Sequence, residues 1–237
     1  MIDHAKSSCQ MSNANDTKHD SRPNLIFLGA PGAGKGSIAS LLVKDFDYYQ
    51  LSTGDMFRQE INSQTALGLE IKNILASGKY VGDEITNALV EKRLLDLVNK
   101  KTPFILDGYP RTLDQADFLQ TLEAKSIKID KVILLKITNE QIIARLSKRR
   151  ICSSCKTIFH LESYPPKDGQ FCTKCGNVVI KRADDEPEVI KKRLEIYDSQ
   201  TKILIDYYRQ KGKLIEINSY QEFNKVYIDV KEAIGWS

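Results

Sequence analysis

The sequence predicts an α/β fold in which a parallel sheet is flanked by helices. Two short apolar runs, at residues 25–28 and 104–106, have the composition of strands that are covered on both faces, and a third strand is predicted at residues 131–137. Segments with helical patterning follow these runs, which is the alternation expected of such a sheet. At 237 residues, the chain is long enough to bury a full core.

A glycine-rich loop connects the first predicted strand to the first predicted helix. Residues 29–37 follow the pattern G-x-x-x-x-G-K-[ST] with one extra residue, Gly36, before the serine, and glycines in such a loop let main-chain N–H groups surround phosphate oxygens. Lys35 adds a cation for the outer phosphates, the Ser37 hydroxyl can reach Mg²⁺, and the following helix directs its positive end at the anion. The alternative is a flexible loop with a surface lysine. The flanking strand and helix favour a P-loop NTPase-type parallel sheet.

A second short strand, ending at Leu51, is predicted to lead into a helix that Ser52 or Thr53 caps and that carries Arg58. Arg58 alternatively belongs to a solvated helix face. Further helical patterns cover residues 71–75 and 83–98, with a glycine-flanked loop at 78–82.

The strand at 104–106 ends in an acidic residue, Asp107. The carboxyl end of a strand is where an open parallel sheet binds its ligand, and an acidic group there orders Mg²⁺ and its waters in phosphate-loop proteins. Gly108 and Pro110 fix the turn that follows, and Arg111 is predicted to point back toward the phosphates. The alternative interpretation is that Asp107 caps the next helix and that Arg111 is a surface charge.

The rest of the chain continues the alternation. The predicted elements are helices at 113–124 and 139–150, a helix from 184–188 to about 210, a strand at 214–217 and a C-terminal helix. The helix at 139–150 ends in four cations, Arg145, Lys148, Arg149 and Arg150, which either form a solvated helix end or face polyphosphate. Arg182 and Arg193 flank the start of the later helix and are predicted to face one site.

Two C-x₂-C pairs predict a structural zinc site. Cys152 and Cys155 form the first pair, and Cys172 and Cys175 form the second. Four thiolates complete a tetrahedron, so no position remains for a substrate, and the metal replaces the core that this short segment lacks. The alternative is a pair of disulfides. His160 is surplus to four cysteines and is predicted to pack or to form hydrogen bonds.

Composition limits the class of protein. The net charge of +4 suits a protein that handles anions without requiring nucleic acid, and no apolar run approaches the length of a membrane span. Close cysteine pairs indicate metal in a reducing, cytoplasmic compartment. Residues 1–22 are polar and aperiodic, with no secretory signal, and predict a disordered tail in which Cys9 is a free thiol.

Taken together, the motifs resemble the adenylate kinase family, in its long form with a zinc-bearing lid. The matching stretches are 29–37, 52–55, 107–112, Gln115, 149–150, Arg182, 184–185 and Arg193. The resemblance implies a core of residues 23–51, 82–147 and 186–237, an inserted AMP-binding segment at 52–81, and an inserted zinc lid at 148–185. It also implies Mg²⁺-dependent transfer between ATP and AMP to give ADP, by a monomer.

The resemblance assigns roles to the matching residues. For ATP these are Gly32, Ala33, Gly34, Lys35, Gly36, Ser37, Arg145, Arg149, Ile158 and Phe159. For AMP they are Thr53, Arg58, Lys79, Tyr80, Val81, Gly108, Tyr109, Pro110, Arg111, Gln115, Arg182 and Arg193, with Gln115 against the adenine edge. The catalytic cations are Lys35, Arg111, Arg149, Arg182 and Arg193, while Asp55 and Asp107 order the Mg²⁺ shell.

Three departures from the family pattern are present. Ser37 stands for the usual threonine, the N-terminal tail is extra, and residues 218–221 replace a glycine-containing loop against adenine.

Two rival functions remain. One is a kinase for UMP or CMP, which Thr53, Gln115 and the long lid disfavour. The other is a zinc-ribbon protein that binds nucleic acid, which the mild charge and the lack of interleaved aromatic residues disfavour.

Overall fold

The computed structural model of the protein describes residues 22–236. The predicted disordered tail, with Cys9, therefore lies outside the described residues except for Arg22. The Arg22 guanidinium donates a hydrogen bond to the main-chain oxygen of Phe46 and lies over the Tyr48 ring, 6.0 Å from its centre. Arg22 thus contacts the folded body.

Five parallel strands form the central sheet, in the order β2-β3-β1-β4-β8. The strands are β1 (Leu25–Leu28), β2 (Tyr49–Ser52), β3 (Phe104–Asp107), β4 (Lys131–Lys136) and β8 (Leu214–Asn218). Their pairings are all parallel, which confirms the predicted fold class. β1 lies at the centre, so the loop that follows it opens at the middle of the carboxyl edge, where such sheets bind ligands.

Helices cover both faces of the sheet. They are α1 (Lys35–Phe46), α2 (Thr53–Asn62), α3 (Ala66–Ala76), α4 (Asp83–Asn99), α5 (Leu113–Thr121), α6 (Asn139–Ser147), α7 (Pro187–Ile196), α8 (Ile203–Gln210) and α9 (Phe223–Ile234). One core cluster packs α4, α5 and α8 on one face, and a second packs α1 and α9 on the other. Successive side chains of β1 lie on opposite faces of the sheet, so that Ile26 is buried in the first cluster and Phe27 in the second.

Several helix starts follow from their capping residues. The side chains of Ser52, Thr65, Thr112 and Thr138 each accept a hydrogen bond from a main-chain N–H in the first turn of the helix that follows. Pro187 opens α7, where its missing N–H has no helical partner in any case.

Helices α2 and α3 form a hairpin with a small core of its own, made of Phe57, Ile71 and Val81. Gly68 allows the two helices to approach closely, because a Cβ at this position would lie 2.1 Å from the main-chain oxygen of Glu60. The neighbouring atoms are main chain, so no side chain can move aside to make room.

Gly68→Ala is expected to destabilise this hairpin. The clash with main-chain atoms should cost about 1–3 kcal/mol of folding free energy. The higher helix propensity of alanine offsets only about 1 kcal/mol of this cost. Urea denaturation measures the loss. Gly82→Ala is the matched control, since a Cβ at Gly82 meets nothing within 4 Å. Equal stability of the two variants would contradict the packing account.

A separate three-stranded antiparallel sheet, in the order β6-β5-β7, carries the two cysteine pairs. Its strands are β5 (Arg149–Cys152), β6 (Ile158–His160) and β7 (Val179–Ile180). The predicted helix at 139–150 is therefore wrong at its end: α6 stops at Ser147, and Arg149 and Arg150 lie in β5. Main-chain pairing of β5 with both neighbours outweighs the helical pattern of this basic run.

The predicted long helix up to residue 210 contains a π turn at Tyr197–Thr201 between α7 and α8. π turns insert one extra residue and occur often at functional sites. Among residues 22–236, every helix falls short of the length and apolar character needed to cross a membrane.

Candidate active site

The glycine-rich loop connects β1 to α1 at the carboxyl edge of the sheet. Gly29 and Gly32 both have positive φ, 140° and 87°, which side-chain-bearing residues rarely adopt. A Cβ on Gly29 would lie 2.8 Å from the main-chain oxygen of Leu135, and one on Gly32 would lie 2.8 Å from Leu146 Cγ. Glycine at positions 29 and 32 is therefore required by the loop's shape.

Lys35, the first residue of α1, lies across this loop. Its Nζ donates hydrogen bonds to the main-chain oxygens of Gly29, at 2.6 Å, and Ala30, at 3.0 Å. Burial lowers the pKa of Lys35 to about 8; Asp107 opposes this shift, and Arg111, Arg193 and Arg149 reinforce it. The structure thus gathers the lysine, the predicted Mg²⁺ carboxylate and three predicted arginines in one electrostatic site.

Asp107 ends β3 beside the first turn of α1. Its Oδ2 accepts a hydrogen bond from Gln50 Nε2 at 2.9 Å and lies 3.3 Å from where a Cβ of Gly36 would be. Its other oxygen accepts no hydrogen bond from residues 22–236. A carboxylate held on one oxygen and open on the other is a hard donor that suits Mg²⁺.

Two aspartates hold three of the predicted arginines. Arg149 donates to both oxygens of Asp185, at 2.7 and 2.5 Å, and Arg182 donates to both oxygens of Asp184, at 2.8 and 2.5 Å. Arg193 lies 3.1 Å from Asp184. Arg182 and Arg193 therefore contact the same aspartate, and that they face one nucleotide site stays a prediction.

Charge in this cluster is strongly coupled. Burial alone would raise the pKa of Asp184, but Arg193 and Arg182 outweigh it and hold that pKa well below its usual range. Burial lowers the pKa of Arg193 to about 10, against the effect of Asp184. Asp184 is thus ionised at neutral pH, and the three guanidiniums form a preassembled cationic surface.

The loop after β3 meets the start of α2. Thr53, which is buried, donates its hydroxyl to the main-chain oxygen of Gly108 at 2.8 Å, and Arg111 Nε donates to the same oxygen at 2.8 Å. In α2, Arg58 pairs with Asp55 at 2.6 Å. Asp55 is therefore engaged by an arginine of the same helix, and its predicted place in the Mg²⁺ shell stays a prediction.

Three residues of the predicted nucleotide sites turn their side chains inward. Tyr109 is fully buried and donates its hydroxyl to Asn87 at 2.6 Å; Val81 belongs to the hairpin core; Phe159 packs with Cys152 and Cys172. Each of them can meet a nucleotide only through its main chain.

Gln115 is buried and satisfied at both ends of its amide. Its Oε1 accepts from the Arg111 N–H at 2.7 Å, which fixes the orientation of the amide, and its Nε2 donates to Asp83 Oδ1 at 2.7 Å. Asp83 also accepts from the Thr112 hydroxyl at 2.8 Å. One further N–H and one lone pair of the amide remain for a base.

Arg145 joins the glycine-rich loop to the loop after β8. Its guanidinium donates to the main-chain oxygen of Ser219 at 2.9 Å and to that of Ala33 at 3.4 Å. Ile158, in β6, is partly buried. Sequence reasoning assigned no residue in 218–221; Arg145 shows that this loop borders the phosphate loop.

The four predicted cysteines form a cluster whose sulfurs all lie within 4.8 Å of one another, and none is in a disulfide. The closest pairs, Cys152 with Cys175 and Cys155 with Cys172, are 3.4 and 3.5 Å apart. A tetrahedral zinc with Zn–S bonds of about 2.3 Å needs sulfurs about 3.8 Å apart, so the cluster fits that ion. His160 accepts main-chain hydrogen bonds from Glu162 and Ser163, and its exclusion from the zinc ligands stays a prediction.

The adenylate kinase family model matches residues 27–213. The chain belongs to the adenylate kinase family.

Curated relatives cover almost the whole described chain. The adenylate kinase of Mycoplasma mobile is 48% identical over 206 residues, which are 86% of this chain and 94% of that protein. The adenylate kinase of Bacillus velezensis is 44% identical over 213 residues, which are 90% of this chain and 98% of that protein. The adenylate kinase of Treponema denticola is 45% identical over 208 residues, which are 88% of this chain and 97% of that protein.

Within this adenylate kinase family member, sequence reasoning missed the residues that hold the site in shape. Gln50 orients Asp107, Asp83 orients Gln115, and Thr201 donates to the main-chain oxygen of Arg111 at 2.8 Å. These are polar residues on helices and strands, and they contact partners far away in the chain. No local sequence pattern signals contacts of this kind.

Proposed function

We propose that this protein catalyses the reversible, Mg²⁺-dependent reaction ATP + AMP = 2 ADP and so balances adenine nucleotides. The observation that carries the proposal is the convergence of Lys35, Arg111, Arg149, Arg193 and Asp107 at the glycine-rich loop of an adenylate kinase family chain. Phosphoryl transfer requires alignment of the two nucleotides and neutralisation of charge, with little covalent work by the protein.

On the ATP side, the N–H groups of residues 32–37 cradle the phosphates, with the Ser37 hydroxyl toward the metal. Lys35 moves its ammonium from the main-chain oxygens of the loop to the outer phosphates. Arg145, and the main chain of Ile158 and Phe159, border the base and sugar. Arg149 and Arg193 supply charge at the transferring group.

On the AMP side, Thr53, Arg58, Arg111 and Gln115 form the site with the main chain of residues 79–81 and 108–110. Arg182 and Arg193 lie between the two nucleotides. The AMP phosphate oxygen attacks directly, so the site needs no general base. Closure of the arginines around the bound nucleotides excludes water, which protects ATP from hydrolysis.

Mg²⁺ bound with ATP neutralises charge on the β- and γ-phosphate oxygens. The open carboxylate oxygen of Asp107 fits its shell, and we include Asp55 on the strength of the family resemblance. Zn²⁺ at the four cysteines is structural, because four thiolates leave no open position.

We assign the core to residues 23–51, 82–147 and 186–237, the AMP-binding segment to 52–81 and the zinc lid to 148–185. The small cluster of Phe57, Ile71 and Val81 and the separate three-stranded sheet support these two insertions. We place the enzyme in the cytoplasm, as a monomer acting on ATP, AMP and ADP without nucleic acid or membrane. The reduced cysteine pairs support a reducing compartment.

A coupled assay with ATP as donor and AMP, GMP, UMP or CMP as acceptor tests the substrate. We expect turnover with AMP to exceed that with the other three by orders of magnitude. Preferential turnover of UMP or CMP would contradict the assignment of adenine. Tight RNA retention in a filter-binding assay, with no turnover of any acceptor, would support the zinc-ribbon alternative.

Gln115→Ala is expected to weaken AMP binding more than ATP binding. Loss of a buried hydrogen-bonding partner costs about 1–3 kcal/mol, and here it also leaves the Arg111 N–H and Asp83 without their partner. KM values for AMP and ATP, measured separately at saturating co-substrate, give the comparison. Gln120→Ala, an exposed glutamine later in the same helix, is the control. Equal weakening of both nucleotides would contradict the pocket assignment.

A further inference from the structure

The side chain of Tyr80 lies against Arg111. Tyr80 belongs to the loop between α3 and α4, and the centre of its ring is 4.6 Å from the guanidinium carbon of Arg111. An aromatic face attracts a guanidinium and limits the orientations of its plane. The family assignment used this position only as part of an AMP-binding stretch, and gave the ring no task.

The Tyr80 hydroxyl continues into a directed chain of hydrogen bonds. It lies 2.9 Å from Thr201 Oγ1, and Thr201 Oγ1 lies 2.8 Å from the main-chain oxygen of Arg111. Threonine has one hydroxyl proton and a carbonyl only accepts, so Thr201 must donate to Arg111. Tyr80 therefore donates to Thr201, and both bonds have a fixed direction.

Thr201 occupies a special position in the fold. It is the last residue of the π turn at Tyr197–Thr201, and only 6% of its surface is exposed. The extra residue of a π turn rotates the following positions by about 100° relative to an uninterrupted α-helix. The turn thus sets the face on which the Thr201 hydroxyl meets Arg111.

The main-chain groups of Arg111 and part of its guanidinium are all held by neighbouring residues. Its N–H donates to Gln115 and its Nε donates to Gly108, while its carbonyl accepts from Thr201 and one guanidinium face lies on Tyr80. Its terminal amino groups have no hydrogen-bond partner in the part of the chain that is described. They are the part of the side chain left to bind phosphate.

We propose that Tyr80 and Thr201 are positioning residues for Arg111. The ring sets the plane of the guanidinium, and the two hydroxyls set the main chain from which it extends, so that its terminal amino groups meet the transferring phosphoryl group. This rests on the proposed function, in which Arg111 stabilises the transition state. A misdirected cation loses transition-state stabilisation, which lowers kcat more than it changes KM.

The test compares Tyr80→Phe, which keeps the ring and removes the hydroxyl, with Thr201→Val, which removes both bonds of the chain. We expect kcat to fall by about threefold to tenfold in each, with KM for AMP changed less than twofold. In the Thr201→Val background, Tyr80→Phe should have no further effect, because its partner is already gone. Tyr80→Leu should lower kcat further than Tyr80→Phe.

Tyr227→Phe is the matched control. Its hydroxyl donates to Asp45 at 2.7 Å and Lys231 lies 5.6 Å from its ring centre, but these groups belong to α1 and α9 on the other side of the sheet. We expect wild-type kcat. All variants are assayed well below their melting temperatures, so that a loss of fold is separated from a loss of rate.

Wild-type kcat in both Tyr80→Phe and Thr201→Val would overturn the proposal, as would a rise in KM for AMP at unchanged kcat. Additive losses in the double variant would overturn the hydrogen-bond chain. Arg111→Lys separates this outcome from failure of the proposed function. A wild-type rate in Arg111→Lys would remove Arg111 from the chemistry, whereas an inactive Arg111→Lys with active Tyr80 and Thr201 variants would reject only the positioning.

Discussion

Lys35→Met lowers kcat by about 10²- to 10³-fold on this account, because it removes a preorganised cation from the developing charge of the phosphoryl group. The fold should survive the change. Burial lowers the pKa of Lys35 to about 8, so below that pH the folded state carries the cost of a buried ammonium. The cost disappears as the pH rises from about 8 toward 10.5, the value of a free lysine.

The melting temperature of Lys35→Met at pH 7 should therefore equal or exceed that of the wild type, and the difference should narrow toward pH 10. The wild-type kcat/KM for ATP should fall above pH 8, as the free enzyme loses the charge on Lys35. Lys44→Met, an exposed lysine at the far end of α1, is the control for loss of charge. Near-normal turnover in folded Lys35→Met would contradict the phosphate-loop assignment.

Removal of zinc is the second change with a large expected effect, and it acts on stability. The segment around the cysteines has a core of only Cys152, Phe159 and Cys172, with Val179 beside it. Metal binding energy at such a site is folding energy. We expect one zinc per chain, and a melting temperature several degrees lower after chelation, since each kcal/mol lost shifts it by about 2–4 °C in a chain of this size.

Cys172→Ser should reproduce the lower melting temperature with a modest loss of rate, and Ser154→Ala, an exposed residue between two ligands, should not. Chelated enzyme should keep appreciable activity at low temperature, because the core and the phosphate site have their own clusters. Complete loss of activity on chelation, with unchanged circular dichroism and recovery with zinc, would instead place the metal in the chemistry.

The parts of the fold predicted correctly from the sequence are those encoded by local patterns. The apolar runs of β1, β3 and β4, the glycine motif and the paired cysteines each occupy a short stretch, and each has a physical reason for its spacing. The position of Asp107 followed as well, because the carboxyl ends of parallel strands meet at one edge.

Features that depend on distant partners were not predicted. The basic run ending in Arg149 and Arg150 favoured a helix by its pattern, and became strand β5 because β6 and β7 supply its hydrogen bonds. The π turn before Thr201 has no sequence signature of its own. Tyr80 and Thr201 are separated by 121 positions, and local periodicity does not report such a pair.

The most direct test of the central claim starts from ADP alone. Full-length enzyme is incubated with Mg²⁺ and ADP, and the products are followed by phosphorus NMR, with Lys35→Met as the inactive control. Transfer between two bound nucleotides predicts equal amounts of ATP and AMP, with no inorganic phosphate. Accumulation of inorganic phosphate, or ADP left unchanged by folded wild-type enzyme, would contradict the account.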